Sequence, residues 1–278
     1  MISCIICSRK EKISPKLVEN LNSTIGCDFE TIVIDNSKNK YSIFSAYNEG
    51  ILRAQGDVLC FMHEDVCFHS NNWGQLVFNV LNDDSIGILG IIGSQFLPNV
   101  VSSWWICGST KGQLIQGYKD KKGRYISSLE GEKVDKITDL VIIDGFWFCM
   151  TKAFAKEIYF DDRLFNSFHA YDMDICMQTL KYGKRVVVAP NILIEHFSMG
   201  NTRESYFNQL ELCFYKWKDY LPIWRGINIS TEDVKRMTNI LRSYQNVIRR
   251  NIVIENSKAY KIGRILLYPL KKIMKFMK

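Results

Sequence analysis

The stretch DVLCFMHED, residues 57–65, joins a short apolar run directly to His63, Glu64 and Asp65. Its length and its apolar residue types predict a buried β-strand whose last residues are polar. Three side chains that titrate or bind metals therefore sit where a hydrophobic strand ends. Because residues two apart on a strand share a face, we expect His63 and Asp65 on one side and Glu64 on the other.

The segments around this stretch alternate between strand and helix patterns. Strands are predicted at 2–8 and 30–37, and helices at 16–25 and 42–56. This alternation is typical of an α/β protein with a mostly parallel central sheet covered by helices. Ligands of such sheets bind beyond the carboxyl ends of the strands. We therefore expect the polar residues that close these three strands to meet at one edge of the sheet: Ser8, Arg9, Asp35, Asn36, His63, Glu64 and Asp65.

The rest of the chain has a less regular pattern. An irregular, hairpin-rich insertion is predicted at about 98–138, followed by a strand pair over 140–152. A helix with acids in its first turn is predicted at 170–183, and strand patterns return at 185–197. The segments beyond residue 200 look helical, and we interpret them as an appendage to the main domain.

The net charge of +7 is concentrated at one end of the 278-residue chain. Residues 256–278 contain no acid and seven basic residues: Lys258, Lys261, Arg264, Lys271, Lys272, Lys275 and Lys278. The remainder is balanced, which argues against a nucleic-acid-binding face. Apolar residues recur every three or four positions in this tail, a pattern that suits an amphipathic helix on an anionic membrane. A helix packed against the main domain is the alternative.

Two further patterns bear on location. The first residues lack a signal-like leader, and no apolar run approaches the roughly 20 residues of a membrane-spanning helix. Nine cysteines lie mostly in apolar segments, as is typical of free thiols in a reducing compartment. We therefore expect a cytoplasmic protein, with the tail at 258–278 as the part that could contact the inner face of a membrane.

Seven short motifs, in this order, resemble the family-2 glycosyltransferases of the GT-A fold, especially a branch associated with streptomycin-type biosynthesis. The motifs are IICSR, VIDNS, AYNEGILRAQGD, CFMHEDV, IIDGFWFCMTK, YDMDICMQTLKYG and PNILIEHF. Each motif alone is weak, and their order carries the resemblance. It implies a GT-A catalytic domain over about 1–200 that contains the insertion at 98–138, and a helical appendage over 201–278.

The resemblance also implies a nucleotide-binding group. Ser8, Arg9 and Asp35 would contact the base and ribose of a nucleotide-diphosphate sugar, with Asn48 on the following helix beside them. Glu64 is counted with this group, with its side chain expected to face away from His63 and Asp65. The donor nucleotide would be UDP, GDP or dTDP, and the acceptor a glycan or a lipid-linked molecule.

The metal and the catalytic base follow from the same resemblance. Asp65, together with His63 and His196, would hold Mn²⁺ or Mg²⁺ against the diphosphate, although His196 could instead be structural. Asp172 would be the base that deprotonates the acceptor hydroxyl, which gives a single displacement with inversion. Asp174 is the nearby alternative.

Two departures from the family pattern and two competing functions remain. His63 stands where the family has an Asp, and Tyr171 stands where it has the Glu that precedes the base. A sugar nucleotidyltransferase is disfavoured because no Gly-rich loop bearing Arg and Lys follows the first strand. A catalytically silent nucleotide-sugar-binding module is the other alternative.

Overall fold

The computed structural model describes residues 1–120, 122–198 and 204–257. The predicted basic tail at 258–278 lies outside the described residues. In chain order the elements are β1 (Ile2–Ser8), α1 (Pro15–Thr24), β2 (Phe29–Asp35), α2 (Ile43–Arg53), β3 (Val58–Met62), β4 (Val66–Phe68), α3 (Trp73–Leu81), β5 (Ile86–Gly90), β6 (Ile92–Ser94), β7 (Phe96–Leu97), β8 (Thr110–Lys119), β9 (Tyr125–Glu132), β10 (Thr138–Leu140), β11 (Ile142–Ile143), β12 (Trp147–Thr151), α4 (Lys152–Glu157), α5 (Tyr171–Lys181), β13 (Arg185–Val188), β14 (Ile194–His196), α6 (Glu204–Trp217), β15 (Ile223–Trp224) and α7 (Thr231–Asn256).

A seven-stranded sheet forms the centre, in the order β10-β13-β5-β12-β3-β1-β2. Strands β1, β2, β3, β5 and β13 run in one direction, while β12 and β10 run in the other. The apolar runs seen in the sequence supply fully buried strands, including all of β3 and β5. The mostly parallel α/β sheet predicted from the alternating pattern is therefore confirmed.

Helix α2 packs closely on β1 and so fixes the edge of the sheet that follows Ser8. The helix begins at a capping box in which the side chains of Ser42 and Ser45 each accept the other's backbone N–H. A Cβ added to Gly50 would lie 2.3 Å from Ile5 Cγ2, so only glycine allows this approach of helix to strand.

Strand β12 lies between β3 and β5 and is antiparallel to both. Its first residue, Trp147, pairs with Met62, the last residue of β3. The segment that enters β12, Asp144 to Phe146, therefore lies beside the carboxyl end of β3. Functional residues can reach this edge from the start of β12 as well as from the ends of the parallel strands.

The predicted strand over 57–65 is too long, because β3 ends at Met62. The backbone N–H of His63 donates to the carbonyl of Phe146, and the chain then bends into β4. His63, Glu64 and Asp65 therefore lie in the bend between two strands and not on a regular strand.

A second sheet has the order β11-β6-β8-β14-β4, and β9 pairs with β8. Strand β4, which follows the bend, lies at one end of this order. Strand β14 runs antiparallel to β4, with His196 opposite Val66. The N–H of Phe197 donates to the carbonyl of Asp65 at 2.9 Å. This pairing brings a residue from late in the chain to the end of β3. The β8–β9 hairpin occupies much of the segment at 98–138.

Helices α6 and α7 lie in the last described range, 204–257. The end of α6 joins α5, because Trp217 Nε1 donates to Asp174 at 2.8 Å. Helix α7 is capped by Ser230, whose side chain accepts the N–H of Asp233. Of the helices in the described ranges, none has the length and apolar character needed to cross a membrane.

Candidate active site

His63, Asp65 and His196 form a group that can hold a metal ion. Each offers one ligand atom, and these atoms all lie within 4.8 Å of one another. His63 Nδ1 is 3.3 Å from His196 Nε2 and 3.9 Å from Asp65 Oδ1, and His196 Nε2 is 3.5 Å from the same oxygen. Three residues predicted from two separate motifs are therefore brought together.

Phe146 and Gln116 help to fix the position of His196. The phenyl ring of Phe146 stacks on the imidazole with centroids 4.8 Å apart and an interplanar angle of 10°. Gln116 Nε2 donates to the carbonyls of His196 and Ser198, at 3.1 and 2.9 Å. The Ser198 hydroxyl lies 3.3 Å from His196 Nε2. The imidazole is thus held by its own neighbours at the edge of the sheet.

The protonation states of His63 and Asp65 suit metal binding. Burial, followed by the nearby His196, lowers the pKa of His63 to about 4, so the ring is neutral at pH 7. Burial alone would raise the pKa of Asp65, but hydrogen bonds from His196 and Ser198 outweigh it and lower that pKa. A neutral imidazole and an ionised carboxylate are the forms that bind metals.

The distances also fit one ion. Two ligand atoms bound to the same ion at about 2.1 Å and at right angles lie roughly 3 Å apart. The three separations in this group, 3.3, 3.5 and 3.9 Å, are slightly larger than that. Small side-chain shifts would therefore let His63, Asp65 and His196 share one cation.

The side chain of Glu64 points toward β1 and binds Ser8, the last residue of that strand, and Arg9, which follows it. The Ser8 hydroxyl donates to Glu64 Oε2 at 2.6 Å. The backbone N–H and the Nε of Arg9 donate to Glu64 Oε1 at 3.3 and 3.2 Å. Ser8 is fully buried, whereas the side chain of Arg9 is 81% exposed. Glu64 thus holds an exposed guanidinium at the edge of the sheet.

Asp35 and Asn48 occupy different surroundings. Asp35 is exposed at the end of β2, where it pairs in register with Ser8. Hydrogen bonds from Ser37 lower the pKa of Asp35, so it is ionised at neutral pH. In contrast, the Asn48 amide donates to the Phe160 carbonyl at 2.8 Å and accepts the Phe160 N–H at 3.1 Å. Asn48 therefore ties α2 to the chain before α5.

The two acids in the first turn of α5, Asp172 and Asp174, differ in the groups that surround their carboxylates. Burial, and then the like charge of Asp144, raises the pKa of Asp172 to about 7, although backbone N–H groups such as that of Met173 oppose this shift. Asp174 is almost completely buried, and its carboxylate contacts Lys216 Nζ at 2.7 Å. Asp172 therefore has the pKa of a general base at neutral pH, and Asp174 is paired with a cation.

Several residues of the site were not predicted from the sequence. Tyr171 places its hydroxyl 2.8 Å from His63 Nε2, and Asp144 lies close enough to Asp172 to raise its pKa. Asp144 belongs to an Asp-Gly pair just before an apolar run, which is a signal of a strand end that could have identified it. Tyr171, Ser198 and Gln116 have no comparable local signal.

Of the aromatic residues Trp104, Trp105, Phe146 and Trp147, Trp105 is the exposed one. Its side chain is 45% exposed and stacks on Tyr206 with centroids 5.6 Å apart. Trp104, Phe146 and Trp147 are buried. Phe146 supports His196, and Trp147 packs edge-to-face on Trp73 in the core.

Residues 1–212 match the sequence model of a family described as "Glycosyltransferase like family". This match covers most of the chain, and the chain therefore belongs to that glycosyltransferase-like family. The resemblance inferred from the ordered motifs is confirmed at this level. The streptomycin-type branch stays a prediction.

Two solved structures show the same fold. The first, "Crystal structure of GalNAc-T7 with UDP, GalNAc and Mn2+", is 15% identical, with a TM-score of 0.52 over 79% of this chain and 50% of that one. A structure of S. aureus TarS is 13% identical, with a TM-score of 0.52 over 92% of this chain and 75% of that one. The chain thus spans half the length of the first of these proteins. No curated protein matches the sequence. These likenesses establish the GT-A fold.

Proposed function

We propose that this chain is a metal-dependent, inverting glycosyltransferase that moves a sugar from a nucleotide-diphosphate donor to a hydroxyl of a glycan or lipid-linked acceptor. The observation that carries the proposal is the His63, Asp65 and His196 group at the edge of a GT-A sheet. Tyr171 links this group to the candidate base, because its hydroxyl contacts His63 and its backbone precedes Asp172.

The ligand set favours Mn²⁺ over Mg²⁺. Mg²⁺ prefers oxygen ligands in a strict octahedron, whereas imidazole nitrogens suit transition metals. Two of the three ligands here are imidazoles. A site with a single carboxylate would bind the ion more tightly once diphosphate oxygens complete its coordination.

The donor nucleotide is proposed to lie along the ends of β1, β2 and β3. Asp35 is exposed and ionised there, and can accept hydrogen bonds from the hydroxyls of a ribose. Ser8 and Arg9 are held beside it by Glu64. Glu64 therefore acts through these two residues, and Asn48 supports α2 behind them.

The proposed reaction is a single displacement. A bound divalent cation supplies a Lewis acid that offsets the negative charge developing on the diphosphate leaving group. The acceptor oxygen forms a bond to the anomeric carbon as the bond to the diphosphate oxygen breaks. Asp172 accepts the proton of the attacking hydroxyl. Because attack and departure occur on opposite faces, the anomeric configuration inverts.

The test is a panel of UDP-, GDP- and dTDP-sugars with and without Mn²⁺, measured by thermal stabilisation and by donor hydrolysis. A ligand that binds only the folded state raises its melting temperature, so the panel identifies the base and the metal requirement together. Neither stabilisation nor hydrolysis by any donor with saturating Mn²⁺ would overturn the proposal. Stabilisation without turnover by any acceptor would favour the silent binding module.

The variant Asp65→Asn tests the metal group directly. It keeps the size of the side chain but removes the carboxylate from the group, so Mn²⁺-dependent donor stabilisation should be lost. His69→Gln is the matched control, since His69 pairs with Glu195 outside the group. Equal Mn²⁺ dependence in Asp65→Asn and the wild type would remove Asp65 as a ligand.

A further inference from the structure

The His63 ring has a partner on each nitrogen. Nδ1 faces His196 and Asp65, at 3.3 and 3.9 Å, while Nε2 lies 2.8 Å from the hydroxyl of Tyr171. The ring therefore bridges the metal group and the first residue of α5.

The Tyr171 hydroxyl is held in place by close packing. The side chain is only 5% exposed, and its ring lies so close to the backbone that a Cβ added to Gly145 would come within 2.5 Å of it. Phe44 and Tyr47 contact the ring edge-to-face, with centroids 6.4 and 5.8 Å away. Such a hydroxyl can direct the hydrogen bonding of a more exposed partner.

A neutral imidazole carries one N–H and one lone pair, and the partner of one nitrogen decides which form exists. If Nε2 carries the hydrogen, it donates to the Tyr171 oxygen, and the lone pair of Nδ1 points into the metal group. If Nδ1 carries the hydrogen, that hydrogen occupies the place of the metal. Asp65 Oδ1, at 3.9 Å, is too far from Nδ1 to accept a good hydrogen bond, and His196 Nε2, which lies 3.3 Å from Nδ1, is itself a proposed metal ligand.

We propose that Tyr171 is a positioning residue: it accepts a hydrogen bond from His63 Nε2 and thereby reserves the Nδ1 lone pair of His63 for the metal ion. This inference rests on the proposed function, because it requires a metal in the group. It adds that the start of α5, which also carries Asp172, is tied to the metal ligand. A shift of that helix would therefore disturb the ligand and the base together.

The test compares Tyr171→Phe with the wild type and with the control Tyr47→Phe. Both substitutions remove one hydroxyl and keep a buried ring, and the Tyr47 hydroxyl has no hydrogen-bond partner in the described part of the chain. Mn²⁺ affinity is measured by titration calorimetry with the nucleoside diphosphate that stabilises the wild type most. Loss of a partner of a metal ligand typically weakens affinity by about 10–100-fold, which is expected for Tyr171→Phe alone.

A second readout needs neither metal nor turnover. ¹⁵N NMR of histidine-labelled wild-type protein, with the His63 signals assigned through His63→Gln, should show the hydrogen of His63 on Nε2. In Tyr171→Phe this preference should be lost, whereas Tyr47→Phe should retain it. A merely structural role for Tyr171 would not change the tautomer.

The outcomes separate this inference from the proposed function. Mn²⁺ binding that is equally tight in Tyr171→Phe and the wild type overturns the role of Tyr171 and leaves the glycosyltransferase intact. Absence of Mn²⁺ binding by the wild type with every nucleotide overturns both. If Tyr171→Phe does not fold, the wild-type spectrum still decides, because a hydrogen on His63 Nδ1 contradicts the inference.

Discussion

Asp172 and Asp174 lie two residues apart on α5, and the structure gives their carboxylates opposite surroundings. Asp174 contacts Lys216 Nζ at 2.7 Å and accepts hydrogen bonds from Trp217 Nε1 and Gln178 Nε2, both at 2.8 Å. The partners described for the Asp172 carboxylate are backbone N–H groups. The contacts of Asp174 therefore join α5 to α6, whereas those of Asp172 come from the backbone beside it.

The rate of transfer should depend on the ionisation of Asp172. Because the proposed base must be deprotonated to act and the pKa of Asp172 is about 7, kcat should rise as the pH increases through 7. Asp144→Asn removes the neighbouring like charge, so the pKa of Asp172 should fall and the acidic limb should move to lower pH. The measurement is kcat from pH 5 to 9, with the exposed Asp57→Asn as control. An unmoved acidic limb in Asp144→Asn would show that the two carboxylates do not interact.

Asp172→Asn should lose turnover and gain stability at alkaline pH. The loss should be roughly 10²–10⁴-fold, the usual contribution of a general base. The folded-state pKa of Asp172 is raised above its unfolded value, so the folded state loses stability as the pH rises from about 4 through 7. Asn carries no such charge. The melting temperature of Asp172→Asn should exceed that of the wild type at pH 8 and match it at pH 4. Thermal unfolding at both pH values measures this difference.

Glu64→Gln should weaken donor binding more than it slows the chemical step. The substitution keeps an oxygen that Ser8 can bond to but removes the charge that holds Arg9. The KM for the donor should rise about 10-fold, equivalent to roughly 1.4 kcal/mol of binding, with kcat nearly unchanged. Steady-state kinetics with varied donor measures this split, and Glu49→Gln on the surface of α2 is the control. A fall in kcat alone would place Glu64 in the chemical step.

Lys216→Met should destabilise the fold by leaving the Asp174 carboxylate buried without its cation. Lys216 Nζ lies 2.7 Å from Asp174 and 2.8 Å from Asp161. Breaking a buried pair from one side costs roughly 3–5 kcal/mol, measured as the free energy of unfolding in urea. The exposed Lys218→Met should cost about 0.5 kcal/mol or less. Adding Asp174→Asn to Lys216→Met should restore part of the loss, and no recovery would indicate that packing dominates.

The ends of β1, β2 and β3 could be predicted from the sequence because each is marked locally by an apolar run that stops at polar residues. That signal identified Ser8, Asp35 and Asp65, and the parallel arrangement implied that they share an edge. The direction of β12 could not be predicted in the same way. An apolar run looks the same whichever way its strand runs, so the position of Asp144 beside Asp172 was not foreseen.

The contact between Tyr171 and His63 could not be predicted from the sequence for a related reason. The two residues are 108 positions apart, and nothing in the sequence connects His63, a predicted metal ligand, with Tyr171, which appeared as a departure from the family pattern. Their meeting depends on how α5 is placed against the end of β3. Only the tertiary structure shows that Tyr171, which stands where the family has a Glu, contacts His63, which stands where the family has an Asp.

The pairing of β14 with β4 also sets when the site can first exist during synthesis. His196 reaches His63 across 133 residues. A ribosome adds about 5–20 residues per second, so the last proposed metal ligand is made roughly ten seconds after the first. Until then the nascent chain carries His63 and Asp65 without their third partner. A chain that stops before His196 therefore lacks the complete group, even though all strands of the central sheet have already been made.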